Sequence, residues 1–566
     1  MTIGIRGAEN TLVEDVSETG DQQGGERAQR TVTAVILVMA ALIGVIGPLV
    51  LSARTGSISI PHNDSWAFSR SSQIFAHTGH IRLFNWNAMA LVGVFVPLGP
   101  LGSSIAIQSC YIAVLALIAL TACFDLLRSV CDERRAALGV LVLALWPGFG
   151  LISTSLMTDI PALAAVAVTL AVGRRAVERG SFLLFSLCAL VSVWGFTVRE
   201  QTIAAPIAVF GAALSRHELS TRSVVLRLLG LGVVVLAVVG VFELWRRGLP
   251  GGSSPSFAHE RYPGPHATAA AATSGILLLG LMLSPLVVLA ARPLRWSWSA
   301  RILALATFAG LFYEVRERGA GLPQNYLESQ GAYPTAILGA RSDVIPHSAW
   351  NLLIPIGCVS SALLAGVVAN RLRRCRPEIW IFGLITALGT LLEVLQGQIL
   401  FDRYLLPLAL PLAAVLLLDP EPARKARVPL LEPARVTVAA TVGVFLAGIT
   451  ALLTANALTF DAATWHAAQS MVAEGEASPQ YIDAGLDWTG YYSPNGMQDA
   501  VDPNALPGVY VKTAQLNDDH PCYIVDAQMD TTHGWTLARI ATYREFTLFG
   551  RPENIYIYRT AEKTCR

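Results

Sequence analysis

Long apolar runs recur along almost the whole chain, and they constrain its fold more than any other feature of the sequence. One of them, TVTAVILVMAALIGVIGPLVLSA, begins at Thr31. A run of about 20 apolar residues is long enough to cross the hydrocarbon core of a bilayer as a helix. Of the 566 residues, 53% are hydrophobic and only 14% are charged, whereas about 25% are charged in a typical soluble domain. The sequence therefore predicts an all-α polytopic membrane protein.

About thirteen segments have the length and composition of transmembrane helices. The first is too long for the apolar core of a cleaved signal peptide, and it follows a polar stretch, residues 1–30, that we predict to be a disordered cytoplasmic tail. Residues 84–101 are apolar but interrupted by Pro97, Gly99 and Pro100, and we predict an interfacial or re-entrant piece there. The predicted spans are 32–52, 103–124, 137–153, 160–173, 181–197, 203–215, 224–245, 268–291, 299–313, 350–370, 378–397, 404–419 and 436–458.

The distribution of Arg and Lys predicts which side of the membrane each loop faces. With the amino terminus inside, every predicted cytoplasmic loop is short and holds at least three Arg or Lys residues, as RLRRCR shows at residues 371–376. The opposite loops are longer and carry fewer positive charges. Because cytoplasmic loops of membrane proteins are enriched in Lys and Arg, we expect the amino terminus on the cytoplasmic side of the plasma membrane and the carboxy-terminal tail on the outer side.

Residues 31–458 then form the transmembrane domain, and residues 459–566 are long enough for a small extracytoplasmic domain. Residues 462–474 have a helical pattern, whereas CYIVDA and NIYIYRT are rich in the β-branched and aromatic residues typical of strands. We therefore predict an α+β domain. Its two cysteines, Cys522 and Cys565, are placed outside, where a disulfide is stable; two unrelated thiols are the alternative.

Charged residues within or beside the predicted spans gather at one end of the bundle. Charges at membrane depth are costly and usually mark a functional site, and transporters place theirs near the bilayer midplane. Confinement to the outer end favours an enzyme that acts on a substrate anchored in the outer leaflet. The residues in question are Asp64, Asp159, Arg199, Glu200, Glu393, Asp402 and Arg403.

Each of these residues also has a structural interpretation. Asp64 is explained equally well as an ordinary loop acid. Asp159 precedes Ile-Pro, which suits a helix N-cap, and Arg199 and Glu200 are close enough in sequence to pair with each other. Arg403 and Tyr404 fit interfacial anchors, since both residue types collect at membrane interfaces. It is the joint pattern that favours a functional site.

The order of three short motifs resembles the C-type glycosyltransferase superfamily. They are an acid in the first external loop (PHNDSW), TDIP at the start of a later span, and RYLLPLALP near the last spans. The resemblance is strongest to the protein O-mannosyltransferase and aminoarabinose-transferase branch, which uses polyprenyl-phosphate sugars. Many members carry two adjacent acids in the first loop, whereas here Asn63 and Ser65 flank Asp64. The resemblance implies the C-type glycosyltransferase fold.

The resemblance also implies an activity: transfer of a monosaccharide from a polyprenyl-phosphate donor to an acceptor hydroxyl at the extracytoplasmic face, with inversion. Asp64 is then the general base. The phosphate needs fixed positive charge, for which Arg403 is the first choice and Arg199 the second. Further candidates around the donor are Asp159, Tyr404, Trp66, Arg82 and Arg341.

Metal, partners and alternative functions remain open at this stage. His62, Asp64, His77 and His80 are close in sequence but lack the spacing of a strong metal motif such as HExxH, so the sequence assigns no metal ligand and no cofactor. The expected partners are membrane lipids, the polyprenyl-phosphate donor and an acceptor that is a protein, lipid or polysaccharide; no nucleic acid is expected. A transporter or flippase of lipid-linked sugars and a non-catalytic envelope scaffold are the alternatives.

Overall fold

The computed structural model describes residues 27–84, 92–216, 221–250, 264–333, 342–418, 431–493, 521–529, 534–544 and 552–560. Helices make up most of these residues, and a small sheet lies near the carboxy terminus. The helices are α1 (Arg27–Thr55), α2 (Ser65–Thr78), α3 (Val92–Leu98), α4 (Ile105–Leu127), α5 (Glu133–Ala144), α6 (Phe149–Ile152), α7 (Asp159–Arg179), α8 (Phe182–Phe196), α9 (Ala204–Ser215), α10 (Arg222–Arg247), α11 (Pro265–Met282), α12 (Ser284–Ala290), α13 (Trp298–Arg318), α14 (His347–Arg371), α15 (Pro377–Leu395), α16 (Leu406–Leu417), α17 (Leu431–Ala473) and α18 (Leu486–Tyr492).

The predicted fold class, a polytopic helical membrane protein with a small carboxy-terminal strand region, is confirmed. Among the described residues, eight helices are long and apolar enough to cross a membrane: α1, α4, α7, α10, α11, α14, α15 and α17. The count of thirteen is not confirmed. A helix lies in every predicted span, but some are short, such as the 12 residues of α9 and of α16. Predicted span 268–291 divides into α11 and α12, because Pro285 begins a new helix.

Two predicted segments near the amino terminus lie only partly within the described residues. Residues 1–26 of the predicted tail lie outside them, and α1 already begins at Arg27. In the predicted interfacial piece, residues 84–101, helix α3 is followed directly by a 3₁₀ helix over Gly99–Ser103. These 12 residues are too short to cross a bilayer. The 3₁₀ segment instead packs against α2, where Ser72 Oγ donates to the carbonyl of Gly102 at 3.0 Å.

The predicted division between residues 458 and 459 falls inside a continuous helix. The 43 residues of α17 extend well beyond the predicted end of the last span. Asp461 and Thr464, which follow position 458, are buried against other parts of the protein. The last turns of α17 thus pack against the carboxy-terminal sheet and join it to the bundle.

The sheet has four strands in the order β1-β2-β4-β3: β1 (Ile482–Asp483), β2 (Tyr523–Asp526), β3 (Thr536–Arg544) and β4 (Pro552–Arg559). β1 pairs with β2 in parallel, and the other two pairs are antiparallel. Both predicted strands, in CYIVDA and NIYIYRT, are confirmed as β2 and β4. Apolar residues of the sheet and of α17 form one core with Ile60, which belongs to the loop between α1 and α2.

Helix α4 connects two polar regions at opposite ends of the bundle. Near its start, Gln108 accepts a hydrogen bond from Ser69 of α2 at 2.7 Å. Near its end, Asp125 forms ion pairs with Arg174 and Arg175. The 17 residues that separate Gln108 from Asp125 span roughly 26 Å of helix. We refer to these regions as the Asp64 end and the Asp125 end.

Candidate functional site

Asp64 lies in a tight turn at the start of α2. Asn63, just before it, adopts a left-handed conformation with φ 50°, which asparagine tolerates better than most side chains. The amide of Ser65 donates to the carbonyl of His62 at 3.1 Å and closes the turn. The turn directs the Asp64 carboxylate towards the bundle, where its side chain is 17% exposed.

Arg403 meets Asp64 although 339 residues separate them in the chain. Its Nη2 donates to Asp64 Oδ2 at 2.6 Å, and its Nη1 donates to the Tyr326 hydroxyl at 3.2 Å. The guanidinium is 5% exposed. Among the described residues, no acceptor meets its buried Nε. The two residues to which the resemblance gives the base and phosphate roles are therefore in direct contact.

Asp402 holds the backbone of Arg403; the sequence placed it among the charges at the outer end of the bundle but gave it no role in the site. Its Oδ1 accepts the amide of Arg403 at 2.6 Å. Its Oδ2 accepts the amides of Tyr326 and Leu327 at 2.7 and 2.8 Å. One buried carboxylate thus connects the segment before α16 to the loop that carries Tyr326. In the sequence, its place among the charges at the outer end of the bundle pointed to Asp402, but not to this role.

Tyr326 is fixed by close packing against Gly148. A Cβ atom at Gly148 would lie 2.2 Å from Tyr326 Cγ, and Gly148 has φ 73°, so only glycine fits there without strain. Burial raises the pKa of the Tyr326 hydroxyl above its usual range. The hydroxyl therefore remains neutral and accepts the hydrogen bond from Arg403.

A second ion pair lies beside the first. Arg199 Nη1 donates to Asp159 Oδ1 at 2.7 Å. The ring of Tyr404 lies near both guanidiniums, with its centroid 4.8 Å from Arg199 Cζ and 5.3 Å from Arg403 Cζ. Aromatic rings attract cations at this distance. Tyr404 thus stabilises two positive groups close together.

Two of the structural interpretations made from the sequence are wrong. Asp159 does not cap α7, because Thr158 occupies the N-cap position and Asp159 is the first helical residue. Arg199 forms its ion pair with Asp159 and not with Glu200. Asp159 Oδ2 is buried and, within the described part of the chain, accepts no hydrogen bond. A buried carboxylate oxygen without a donor is unusual and marks a place where a ligand can bind.

These side chains line a cleft of about 440 Å³ that is partly open to solvent. Asp159, Arg199, Arg403 and Tyr404 contribute its charged and aromatic lining. The remaining wall is largely apolar and includes Phe382 and Leu406. The cleft thus presents two guanidiniums next to an apolar surface.

The other predicted site residues lie away from this cleft or outside the described residues. Trp66 of α2 is fully buried against Gly490 of α18, and the centroid of its ring lies 5.8 Å from that of Phe84. Arg82 is exposed and lies over Phe84 as well. Arg341 lies outside the described residues.

Only one of the two cysteines of the predicted disulfide lies within the described residues. Cys522 is disulfide-bonded, and the six cysteines of the bundle are free. Cys565 lies outside the described residues, so its pairing with Cys522 stays a prediction.

Across the described ranges, no group of three His, Cys, Asp or Glu side chains is arranged to hold a metal ion. His77 and His80 are exposed, and His62 is buried.

His62 contacts the carboxy-terminal part of the chain. Its Nδ1 is 2.6 Å from Asp461 Oδ2 of α17. Asp487 of α18 lies near this pair and accepts the Trp465 indole N–H at 2.7 Å. Burial, together with the negative charge of Asp461, raises the pKa of Asp487 from 3.8 to about 7.

This shift predicts how stability depends on pH. Between about pH 4 and pH 7 the folded protein holds a proton on Asp487 that the unfolded chain has lost, so stability falls as pH rises through this window. Asp487→Asn removes the titration, and we expect its apparent Tm to lose less between pH 5 and pH 8 than that of the wild type. Thermal unfolding in detergent, followed by tryptophan fluorescence, measures both profiles. Parallel profiles would contradict this expectation.

Comparison with known proteins gives a family match over part of the chain. The family model of dolichyl-phosphate-mannose-protein mannosyltransferases matches residues 90–245, a region that includes Asp159 and Arg199. No curated protein sequence matches significantly.

Several solved structures are similar at low sequence identity. ArnT from Cupriavidus metallidurans bound to undecaprenyl phosphate has a TM-score of 0.41 and 13% identity, with 94% of this chain and 98% of that chain covered. The oligosaccharyltransferase of Archaeoglobus fulgidus in complex with Zn and sulfate has a TM-score of 0.40 and 15% identity, with 80% of this chain covered. This chain spans 56% of the length of that enzyme. The predicted resemblance to the protein O-mannosyltransferase branch is confirmed over residues 90–245 by the family match.

Proposed function

We propose that this protein is a membrane glycosyltransferase that moves a monosaccharide from a polyprenyl-phosphate donor to an acceptor hydroxyl. The observation that carries the proposal is the contact between Asp64 and Arg403 beside a cleft that also contains Arg199. A carboxylate next to two guanidiniums supplies a proton acceptor and an anion site within one small volume. The family match supports the same class of donor.

In the proposed reaction, the acceptor hydroxyl oxygen bonds to the anomeric carbon as the bond from that carbon to the phosphate oxygen breaks. The hydroxyl proton passes to Asp64, and polyprenyl phosphate leaves with the bonding electron pair. Attack opposite the leaving phosphate inverts the anomeric configuration. Arg403 and Arg199 stabilise the negative charge that develops on the phosphate, because fixed donors in a water-poor site stabilise such charge strongly.

The donor proposal also rests on the composition of the cleft. Its apolar wall, with Phe382 and Leu406, suits a prenyl chain, and its arginines suit a phosphate. The Nε of Arg403 is a buried donor for which no acceptor is found among the described residues, and a phosphate oxygen would satisfy it. Asp159 Oδ2 is likewise suited to accept a hydroxyl of the donor sugar.

We propose that the cleft faces the extracytoplasmic side, with the amino terminus inside. The Asp125 end carries arginines of the loops that the positive-inside rule assigns to the cytoplasm, including Arg174 and Arg376. The Asp64 end lies at the opposite end of α4 from these arginines.

Turnover by the purified protein tests the proposal. Undecaprenyl-phosphate sugars serve as donors, and an envelope extract from a strain that lacks this protein serves as the acceptor source. We expect one donor to release undecaprenyl phosphate only when the extract is present, and the same sugar to be missing from the envelope glycans of that strain. A flippase would instead move the labelled donor across proteoliposomes without cleaving it, and a scaffold would do neither.

A further inference from the structure

The loop that carries Asp64 is attached to the carboxy-terminal part of the protein by a buried ion pair. His62 is 2% exposed, and both of its ring nitrogens are hydrogen-bonded. Nε2 faces the carbonyl of Ser57 at 3.1 Å, and Nδ1 faces Asp461 Oδ2 at 2.6 Å. A carbonyl only accepts, so Nε2 carries a proton, and the short Nδ1 contact is a charge-assisted hydrogen bond between His62 and Asp461.

Asp461 connects three parts of the chain that are distant in sequence. It belongs to α17, it binds His62 of the first loop, and its Oδ2 also accepts the Tyr333 hydroxyl at 3.4 Å. Tyr333 is in the same loop as Tyr326, and the centroids of the two rings are 5.8 Å apart. The carboxylate therefore meets both of the loops whose side chains surround Arg403.

The His62 contact bears directly on the position of Asp64. Only Asn63 lies between the two residues, and the Ser65 to His62 hydrogen bond closes the turn around it. A turn of this kind has little freedom to absorb a shift of His62, so any movement of the imidazole moves the carboxylate. The pair itself does not line the cleft. It is therefore suited to a positioning role and not to contact with substrate.

Two further contacts hold the same segment from the carboxy-terminal side. Ile60 is buried in the core formed by α17 and the sheet. On α2, Arg70 Nη1 donates to the carbonyls of Gly490 and Ser493 at 2.8 and 2.7 Å. The residues on both sides of Asp64 are thus attached to the carboxy-terminal part of the chain.

We propose that the His62–Asp461 ion pair is a positioning pair, through which the carboxy-terminal part of the protein holds Asp64 at its working distance from Arg403 and the acceptor. This inference rests on the proposed role of Asp64 as the base. Enzymatic rates are sensitive to such placement, since an error of about 1 Å in a reacting group lowers the rate by roughly 100-fold. The carboxy-terminal part is then needed for catalysis although none of its described residues lines the cleft.

Asp461→Asn tests the pair with little change in size, and His62→Gln is a second, independent variant. We expect kcat to fall by roughly 10- to 100-fold, with the KM for the donor and the binding of undecaprenyl phosphate unchanged, because the arginines remain in place. The exchanged pair His62→Asp with Asp461→His is expected to recover part of the lost kcat. Turnover is normalised to sites that bind radiolabelled undecaprenyl phosphate, so unfolded protein does not count.

Asp483→Asn is the matched control. Asp483 is also a buried carboxylate of the carboxy-terminal part, where it accepts the amide of Gly485 at 3.1 Å. A loss of stability without a loss of normalised kcat is expected for this variant. If Asp461→Asn behaves in the same way, or if Asp483→Asn lowers kcat equally, the positioning role is excluded.

Hydrogen–deuterium exchange separates failure of this inference from failure of the proposed function. Amides of residues 57–68 are expected to lose protection in Asp461→Asn and to keep it in Asp483→Asn. Unchanged protection in both variants overturns the proposed attachment whether or not the protein transfers a sugar. Loss of protection in Asp461→Asn, in combination with a wild-type protein that transfers no sugar, would support the attachment and overturn the glycosyltransferase assignment.

Discussion

Asp64→Asn is expected to lower kcat by at least about 100-fold, because general base catalysis typically contributes a factor of 100 to 10,000. Asparagine has the size of aspartate, and its carbonyl oxygen still accepts the hydrogen bond from Arg403 Nη2. The change therefore removes the proton acceptor while it preserves the packing of the turn. Release of undecaprenyl phosphate from the donor, measured with the acceptor extract, gives the rate.

Asp125→Asn serves as the matched control for Asp64→Asn. Asp125 is also an acid in contact with arginines, Arg174 and Arg175, but it lies at the other end of the bundle. We expect this variant to retain wild-type turnover. Undecaprenyl phosphate is expected to bind Asp64→Asn as tightly as it binds the wild type. Wild-type turnover by Asp64→Asn would remove Asp64 from the base role, even if the protein proved to be a glycosyltransferase.

Sequence reasoning singled out four residues that the structure brings together, because costly charges at membrane ends are few. Asp64, Asp159, Arg199 and Arg403 each belong to an otherwise apolar context, and this is a local property that a single sequence reveals. The structure brings all four to one cleft or its rim. The apolar runs likewise revealed the polytopic fold, because span length follows from bilayer thickness.

What the sequence did not reveal depends on contacts between distant residues. Asp402 accepts amides of a loop about 75 positions away, and His62 pairs with a residue 399 positions away. The sequence placed Asp402 among the outer-end charges but gave no sign of the loop that it binds. The last span was predicted to end at residue 458, whereas its helix continues to Ala473 and packs its last turns into the carboxy-terminal core. No periodicity or local motif encodes such partners.

Arg403→Lys is expected to weaken binding of undecaprenyl phosphate and to lower kcat, each by about 10-fold or more, with a combined loss of roughly 100- to 1,000-fold in kcat/KM. Lysine keeps the positive charge but loses the planar fork that holds two phosphate oxygens at once. This substitution is preferred to Arg403→Ala, which would leave the Asp64 carboxylate without its ion-pair partner and destabilise the fold. Equilibrium binding of radiolabelled undecaprenyl phosphate and donor turnover are measured on the same samples.

The comparison with Asp64→Asn shows whether Arg403 acts on the phosphate or only on Asp64. If Arg403 merely orients the base, Arg403→Lys lowers kcat and leaves the affinity for undecaprenyl phosphate intact, as Asp64→Asn does. If it binds the phosphate, affinity falls in Arg403→Lys and stays unchanged in Asp64→Asn. Arg199→Lys removes the second guanidinium beside Tyr404, and we expect it to weaken binding of undecaprenyl phosphate as well. Because Arg199 is held by Asp159 and not by Asp64, a loss of affinity in this variant cannot arise through the base, and together with the loss in Arg403→Lys it would assign the phosphate to both arginines.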